Sequence, residues 1–301
     1  MIHDKFSKYE NRIAVGIVGE GSDCFGFDDE ISKDHDYGLG FCMWLTDSDY
    51  EEIGRELQEE YEKLFFHLEE SNTVHKEHLS ERRGVYKIDE FYEMLLQIKP
   101  RENHQFLKTI GEWLSVEEDR LALCVNGCVF RDDIGVFTSI REYISSYYPK
   151  RVWRVRLAEQ IHHFSQNAQY NYSRMMARGD DITSQICVMQ AVKAAMSIVY
   201  LLNRTYAPYY KWMKKGMEHL EKLTDIIPLL DEISILGSQK ESWNHIEYKN
   251  YNVNKIDKKV VIFEKIAEKL VEELNQQKII SGKNNFLDIY CMEIANEEGD
   301  R

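Results

Sequence analysis

The first third of the chain alternates short apolar runs with amphipathic segments. Residues 13–18 and 41–45 are almost entirely apolar, which is typical of short buried β-strands. After a polar cap, residues 48–71 place apolar side chains at helical spacing, and this pattern predicts a helix. Two short strands followed by a helix predict that the chain begins with a mixed α/β arrangement.

The same mixture continues through the first half. Residues 85–88 predict a third strand, and residues 89–98 predict a helix that ends before a proline. The apolar stretches 121–125 and 128–130 flank Asn126-Gly127, a dipeptide that favours the type I′ turn, so a β-hairpin is predicted here. Further helices are predicted over residues 104–114 and 137–147.

From Pro149 onward the hydrophobic pattern has helical spacing only. Gly179 is expected to end the first long helix, and the aspartates that follow are expected to cap the second. We therefore predict an α+β protein, with a mixed-sheet domain over residues 1–148 and an all-α helical bundle over residues 149–301. The helices predicted in this bundle cover residues 151–178, 181–204, 208–222, 226–236, 257–278 and 284–296.

Composition limits the kinds of site that the chain can carry. The net charge of −14 argues against a broad nucleic-acid-binding surface, and no window approaches the ~20 apolar residues of a membrane span. Six cysteines lie scattered among apolar residues, and Cys124 and Cys128 lack the second Cys or His pair of a zinc site. His162 and His163 point about 100° apart on a helix, so they are interpreted as structural. We expect reduced thiols in a soluble, cytoplasmic protein.

Polar residues with a recognisable chemistry lie between the first two predicted strands. Gly21 and Ser22 follow the first strand, where a turn into a helix offers backbone N–H groups to a phosphate. In an extended segment Asp34 and Asp36 would share one face, and His35 would point the other way. Two carboxylates on one face favour a cation between them, and oxygen ligands suit Mg²⁺. Together these features are the minimum for phosphoryl or nucleotidyl transfer.

The order and spacing of these residues resemble a known signature. Gly-Ser, a spacer of about ten residues and Asp-x-Asp resemble the signature of the polymerase-beta-like nucleotidyltransferase superfamily. Within it, the string GEGSDCFGFDDEIS-x-DHD resembles an uncharacterised bacterial nucleotidyltransferase-like family. The resemblance is specific over residues 16–45 and is weaker but recurrent to about residue 215. It implies that a nucleoside monophosphate is transferred from an NTP, expected to be ATP, to a hydroxyl or amine, with one or two Mg²⁺ ions on Asp34 and Asp36.

The resemblance also implies further site residues. Superfamily members usually carry a third carboxylate on a neighbouring strand, and both Asp132 and Asp89 follow predicted strands, with Asp132 preferred. Lys211 looks like the lysine that related small-molecule nucleotidyltransferases direct at the triphosphate. Tyr209 and Tyr210 beside it are candidates either for stacking on a base or for packing in the core.

The sequence is compatible with several hypotheses of function. With its helical partner domain the chain resembles the antibiotic-modifying branch of the superfamily, which implies a small-molecule acceptor. The acidic net charge would attract a cationic, aminoglycoside-like one. Because the sequence does not identify the third carboxylate, a non-catalytic nucleotide-binding regulator on the same fold is an alternative. A toxin-like enzyme acting on protein or RNA is another alternative, and RNA would need a basic path made by the arginines at 151, 154, 156, 174 and 178. A helical interaction protein whose motif match is accidental is the last.

Overall fold

The computed structural model describes residues 1–32, 40–69, 82–244 and 254–296. The chain divides into two compact units, Met1–Tyr147 and Tyr148–Arg301. It is a mixed α/β protein in which helices outweigh a small four-stranded sheet, and the strands described all lie in the first unit.

The sheet is built from strands far apart in the sequence. Its order is β3-β2-β1-β4. The central strand β1 is antiparallel to both β2 and β4, and β2 is parallel to β3. The end of β1 and the starts of the other three strands therefore meet at one edge, which we name the glycine-loop edge. The strands are β1 (Ala14–Ile17), β2 (Cys42–Leu45), β3 (Gly84–Lys87) and β4 (Cys128–Arg131).

Helices cover both faces of this sheet. Because side chains alternate along a strand, Met43 and Leu45 of β2 face one side, where Leu57 of the long helix α4 packs. Trp44 faces the other side, where its ring stacks 3.9 Å from that of Phe137, measured between centroids. The helices of the first unit are α1 (Ile2–Lys5), α2 (Ser22–Phe25), α3 (Asp47–Asp49), α4 (Arg55–Glu69), α5 (Ile88–Leu96), α6 (Ile110–Ser115), α7 (Glu118–Val125) and α8 (Val136–Ser145), with a π-helical turn (Tyr50–Gly54) between α3 and α4 and 3-10 turns at Glu10–Arg12 and Glu102–His104.

The predicted hairpin at residues 121–130 is wrong in its first half. Residues 121–125 belong to the helix α7, and β4 pairs with β1 instead. Helix formers occupy this segment, its first turn carries Glu118 and Asp119, and Leu121 and Cys124 are buried at helical spacing. The short apolar run therefore belongs to a partly buried helix, and periodicity alone does not distinguish such a run from a buried strand.

In the described part of the second unit, every element of regular secondary structure is a helix. Its first helix continues through a π-helical segment (Ser165–Asn171) into the next, which ends at Gly179 in the left-handed conformation. The side chain of Asp180 then caps the following helix by accepting from the N–H of Thr183. The helices are α9 (Lys150–Phe164), α10 (Tyr172–Arg178), α11 (Asp181–Leu202), α12 (Tyr210–Met217), α13 (Ile227–Ile235), α14 (Lys258–Gln276) and α15 (Cys291–Ala295), with 3-10 turns at Thr224–Ile226, Lys240–Trp243 and Leu287–Tyr290.

Helix α11 is long and apolar enough to cross a membrane, although the sequence led us to expect no such segment. Most of its apolar window is buried inside the fold. Residues 198–202 at its C-terminal end are almost completely covered by protein. This burial is that of a core helix and is consistent with a soluble protein.

Candidate functional site

A glycine loop, residues 19–22, joins β1 to the short helix α2. Gly21 stands immediately before α2 with φ of +120°, a backbone conformation that residues with a side chain rarely adopt. A Cβ atom at this position would lie 2.2 Å from the carboxylate oxygen Oδ1 of Asp23. The conformation of the loop therefore requires glycine at residue 21.

The side chain of Asn126 holds the start of the glycine loop. Its Oδ1 accepts from the backbone N–H of Gly19 at 2.8 Å, and its Nδ2 donates to the carbonyl oxygen of Gly19 at 2.7 Å. Next to it, Gly127 donates its N–H to the carbonyl of Cys24 at 2.7 Å. Gly127 has φ of +65°, and a Cβ there would lie 1.9 Å from the carbonyl oxygen of Ile17. The Asn-Gly pair thus braces the chain on both sides of the loop turn, at Gly19 and at Cys24 in α2.

Arg141 of α8 fixes the position of this brace. Its guanidinium donates to the carbonyl oxygens of four consecutive residues, 124–127, at distances of 3.2, 2.6, 2.7 and 3.3 Å. The last carbonyls of a helix have no partner within the helix, so a cation is favourable at the end of α7. Arg141 therefore ties the end of α7 to α8 and places the Asn126 amide at the loop.

Arg83 holds the other side of the glycine loop. It precedes β3, which begins at the glycine-loop edge, and its side chain is 7% exposed. The guanidinium donates to the carbonyl of Glu20 at 3.3 Å and to both carboxylate oxygens of Asp23 at 2.8 and 3.0 Å. Burial alone would lower the pKa of Arg83, but Cys24 and Asp23 beside it raise that pKa above its ordinary value. The loop thus folds around a buried, permanently charged cation.

The neutral thiol of Cys24 completes this environment. Its sulfur accepts from Arg83 at 3.3 Å. Burial raises the pKa of Cys24 to about 12, although Arg83 acts in the opposite direction. The thiol is therefore protonated at neutral pH and is not a nucleophile.

The glycine loop presents groups that suit an anion. Within the described residues, the backbone N–H groups of Gly21 and Ser22 donate no hydrogen bond. The Ser22 hydroxyl donates to Oδ1 of Asp28 at 2.6 Å. Backbone N–H groups at a turn that enters a helix can bind phosphate oxygens.

Asp132 does not lie at the glycine loop. It follows Arg131, which pairs with Val15, whereas the loop follows Ile17, which is level with Cys128. A strand rises ~3.3 Å per residue, so the four residues from Val15 to the loop span about 13 Å. The carboxylate of Asp132 instead accepts from backbone N–H groups near the start of α8 at 3.0 and 2.8 Å.

Asp89 also lies away from the loop. Strand β3 runs parallel to β2, and Lys87 at its end is level with Leu45, at the edge opposite the glycine loop. Asp89 comes two residues later in α5, where its carboxylate is 2.7 Å from Nδ1 of His104. The strand register thus brings neither candidate for the third carboxylate to the loop.

Two further groups of predicted site residues are not part of the contacts around the glycine loop. Asp34 and Asp36, with His35, lie outside the residues that the structure describes. Tyr209, Tyr210 and Lys211 belong to the second unit, at the start of α12.

The aromatic residues at the start of α12 are exposed. The rings of Tyr209 and Tyr210 lie 4.3 Å apart between centroids, and the two residues are 46% and 64% exposed. The Lys211 ammonium lies 5.5 Å from the ring centroid of Trp212. This segment presents aromatic surface and positive charge together.

The arginines considered as an RNA path have contacts inside the second unit. Arg154 is buried and donates to the carbonyl of Ile294 at 3.0 Å. The Arg156 guanidinium lies 5.2 Å from the Tyr148 ring centroid, and Arg174 donates to a tyrosine hydroxyl on its own helix. Of these three arginines, Arg154 is buried and therefore adds no charge to a surface path.

Sequence reasoning missed Arg83, Asn126 and Arg141. The hydrogen bonds from Arg83 and Asn126 to the loop span 63 and 107 residues of sequence, so no local pattern indicates them. Arg83 lies at the glycine-loop edge because it directly precedes β3, which runs parallel to β2 and begins where β2 begins.

Comparison with known proteins gives one match. A family model described as a domain of unknown function (DUF4037) matches residues 113–213. The match begins in α6 and ends in α12, so it includes Asn126, Arg141 and Lys211 but not the glycine loop. No curated protein and no solved structure matches the chain. Since the matched family has no established function, the match carries no activity with it.

Proposed function

We propose that this protein is a Mg²⁺-dependent nucleotidyltransferase that moves a nucleoside monophosphate from an NTP, expected to be ATP, to a hydroxyl or amine of a small molecule. The observation that carries the proposal is the glycine loop at the end of β1. Its shape requires glycine, it is braced by Asn126 and Arg83, and two of its backbone N–H groups donate no hydrogen bond within the described residues.

The rigidity of the loop supports phosphate binding. A site that binds a triphosphate through backbone N–H groups gains most when those groups are already oriented before the ligand arrives. The double hydrogen bond from Asn126 and the buried guanidinium of Arg83 hold the loop from both sides. Gly21 and Ser22 would then contact the phosphates, and Arg83, paired with Asp23, would keep the loop in the conformation that presents their N–H groups.

The proposed reaction is an in-line displacement. A lone pair on the acceptor oxygen or nitrogen forms a bond to the α-phosphorus, the bond from that phosphorus to the β-phosphate oxygen breaks, and pyrophosphate leaves with that electron pair. The acceptor proton passes to solvent or to a base. Bound by Asp34 and Asp36, Mg²⁺ would neutralise charge on the triphosphate. The contribution of the chain is to position the phosphates and to keep the loop amides aligned with them.

Lys211 and the two tyrosines extend the proposal to the second unit. Lys211 would neutralise charge on the departing pyrophosphate, and the exposed rings of Tyr209 and Tyr210 would offer a stacking surface to the base. The net charge of −14 favours a cationic acceptor.

One observation favours a second candidate, a nucleotide-binding regulator without transfer activity. The register places both Asp89 and Asp132 at the edge opposite the glycine loop. A site without a third carboxylate can retain nucleotide binding while it lacks a group to accept the acceptor proton. Binding measurements and transfer measurements must therefore be made separately.

Titration calorimetry with a non-hydrolysable ATP analogue, with and without Mg²⁺, tests the binding half of the proposal. We expect Mg²⁺-dependent binding that is lost in the double variant Asp34→Asn/Asp36→Asn and retained in the control Asp89→Asn. If ATP gives no signal, the other three nucleotides are titrated in the same way. Binding that ignores both Mg²⁺ and the two aspartates would favour the regulator, and no binding of any nucleotide would refute both candidates.

ATP labelled at the α-phosphate or at the γ-phosphate tests the transfer half. In the presence of a fractionated pool of small metabolites and amine antibiotics, we expect the α label in a new product and the γ label in pyrophosphate. Nucleotide binding with the γ label released as inorganic phosphate would contradict nucleotidyl transfer.

A further inference from the structure

Three side chains able to bind a metal converge in the second unit, and none of them is a residue of the proposed nucleotide site. His162 lies on α9, Asp288 lies in the 3-10 turn that precedes α15, and Cys291 is the first residue of α15. One ligand atom from each of the three lies within 4.8 Å of the other two. Nδ1 of His162 is 2.7 Å from Oδ1 of Asp288, and the thiol of Cys291 is 3.8 Å from the same oxygen.

We propose that His162, Asp288 and Cys291 form a binding site for Zn²⁺, with water as the fourth ligand. Imidazole, carboxylate and thiolate are the three ligand types that Zn²⁺ accepts, and a thiolate among them disfavours Mg²⁺ and Ca²⁺. Three protein ligands leave one coordination position open. Because the His162 side chain is 53% exposed, an ion can reach the site directly from solvent.

The distances between the ligand atoms are close to those of a tetrahedral site. With Zn–N and Zn–O bonds of ~2.0 Å and a Zn–S bond of ~2.3 Å, neighbouring ligand atoms are separated by roughly 3.3–3.6 Å. The separation between His162 and Asp288 must therefore widen by about half an ångström, and that between Cys291 and Asp288 must shorten by a few tenths. The separation between His162 and Cys291 is within 4.8 Å and must reach ~3.5 Å.

The backbone that carries Asp288 is held in place by the π-helical segment after α9. Ser165, which is fully buried, accepts from the N–H of Asp288 at 3.2 Å. Gln169 accepts from the N–H of Leu287 at 3.1 Å and donates to the carbonyl of Asn285 at 2.7 Å. π-Helical segments are rare and often occur at functional sites. Here the segment turns two polar side chains toward the ligand-bearing turn.

The same segment orients the carboxylate of Asp288. Nε2 of Gln166 donates to Oδ2 at 3.2 Å, while Oδ1 faces His162 and Cys291. Partners of this kind fix the direction in which a ligand atom points, and their loss commonly weakens metal binding. The geometry therefore includes three ligand groups and a residue that positions one of them.

The neighbouring histidine provides a matched control. His163 is as exposed as His162, but its Nε2 lies 3.9 Å from Glu159 on its own helix, away from the three-residue group. Cys128 is the exposed cysteine of the chain and lies in the first unit. If metal binding were a property of any exposed histidine or thiol, the His163 and Cys128 variants would be affected equally.

The test is a metal titration of the full-length protein after treatment with a chelator. Zn²⁺ affinity is measured by competition with a chromophoric chelator, and Co²⁺ is used as a spectroscopic probe. We expect one equivalent of Zn²⁺, a thiolate-to-cobalt charge-transfer band, and a Tm that rises with Zn²⁺. The variants His162→Ala and Cys291→Ser should bind Zn²⁺ at least about tenfold more weakly, as should Gln166→Ala, which removes no ligand.

The control variants and the cysteine variant decide between a specific Zn²⁺ site and general binding by exposed side chains. The variants His163→Ala and Cys128→Ser should keep wild-type affinity and the charge-transfer band. No stoichiometric Zn²⁺ binding, or an unchanged affinity in Cys291→Ser, would reduce the group to a hydrogen-bonded His–Asp pair and overturn the proposal. Circular dichroism of each variant establishes that it is folded, and Gln166→Ala gives an independent readout if a ligand variant fails to fold.

Discussion

The substitution Asn126→Ala tests most directly whether the Asn126 side chain holds the glycine loop in place. It removes two hydrogen bonds, to the N–H and to the carbonyl of the buried Gly19, at 2.8 and 2.7 Å. Each such bond contributes ~1 kcal/mol, and a buried partner left without a bond adds a further cost, so we expect a loss of about 2–4 kcal/mol. For a unit of 147 residues, about 3 kcal/mol corresponds to a fall in Tm of roughly 6–12 °C.

The assay combines thermal unfolding with titration of the ATP analogue. Below the unfolding transition, Asn126→Ala should bind the Mg²⁺–nucleotide complex about tenfold more weakly, because the loop amides lose their fixed orientation. Asn275→Ala is the matched control, since it removes two hydrogen bonds of 2.7 Å, to the carbonyls of Val271 and Gly282, in the second unit. The control should lose stability but keep nucleotide affinity. A stable Asn126→Ala protein, or equal losses of affinity in the two variants, would refute the argument that this amide organises the loop.

Two further predictions concern stability. Asp257 is fully buried, caps α14 and accepts hydrogen bonds from Tyr172 and Trp243 at 2.9 and 2.7 Å. In urea unfolding, Asp257→Ala should therefore lower the free energy of unfolding by about 3–5 kcal/mol. A decrease below ~1 kcal/mol would contradict this role. Glu112 accepts from Arg101 and from the backbone N–H groups that precede α6, and these bonds lower its pKa from 4.5 to about 2. The ionised Glu112 carboxylate therefore stabilises the fold above pH ~4.5, and this stabilisation is lost as the pH falls toward 2. The difference in Tm between wild type and Glu112→Gln should shrink over that pH window. A Tm difference that is constant with pH would contradict the assignment.

The strands and long helices could be predicted because their signals are local. The apolar runs at residues 13–18 and 41–45 contain β1 and β2, and the helix boundary at Gly179 and Asp180 is confirmed by the left-handed glycine and the aspartate cap. The prediction for residues 121–125 failed because a continuous run of five apolar residues fits either a buried strand or a buried helix segment. Its acidic first turn was the signal that favoured the helix.

The candidate site could be predicted only in part. The glycine loop follows β1 as the sequence indicated, since a strand that ends in glycines is a local feature. The residues that hold it are distant in sequence, and sequence alone did not indicate that β4 would pair with β1 or that β3 would run parallel to β2. The same registers move Asp89 and Asp132 away from the loop, although each was a reasonable candidate from its place after a predicted strand.

Hydrogen–deuterium exchange of the full-length protein, with and without the ATP analogue and Mg²⁺, tests most directly whether the glycine loop is a nucleotide phosphate site. We predict slower exchange in the peptide that covers residues 19–26 when nucleotide and Mg²⁺ are both present. We predict no change in the peptide that covers residues 130–138, at the opposite edge of the sheet. The protection should disappear in Asp34→Asn/Asp36→Asn. Nucleotide binding that leaves residues 19–26 unprotected would contradict the proposed site.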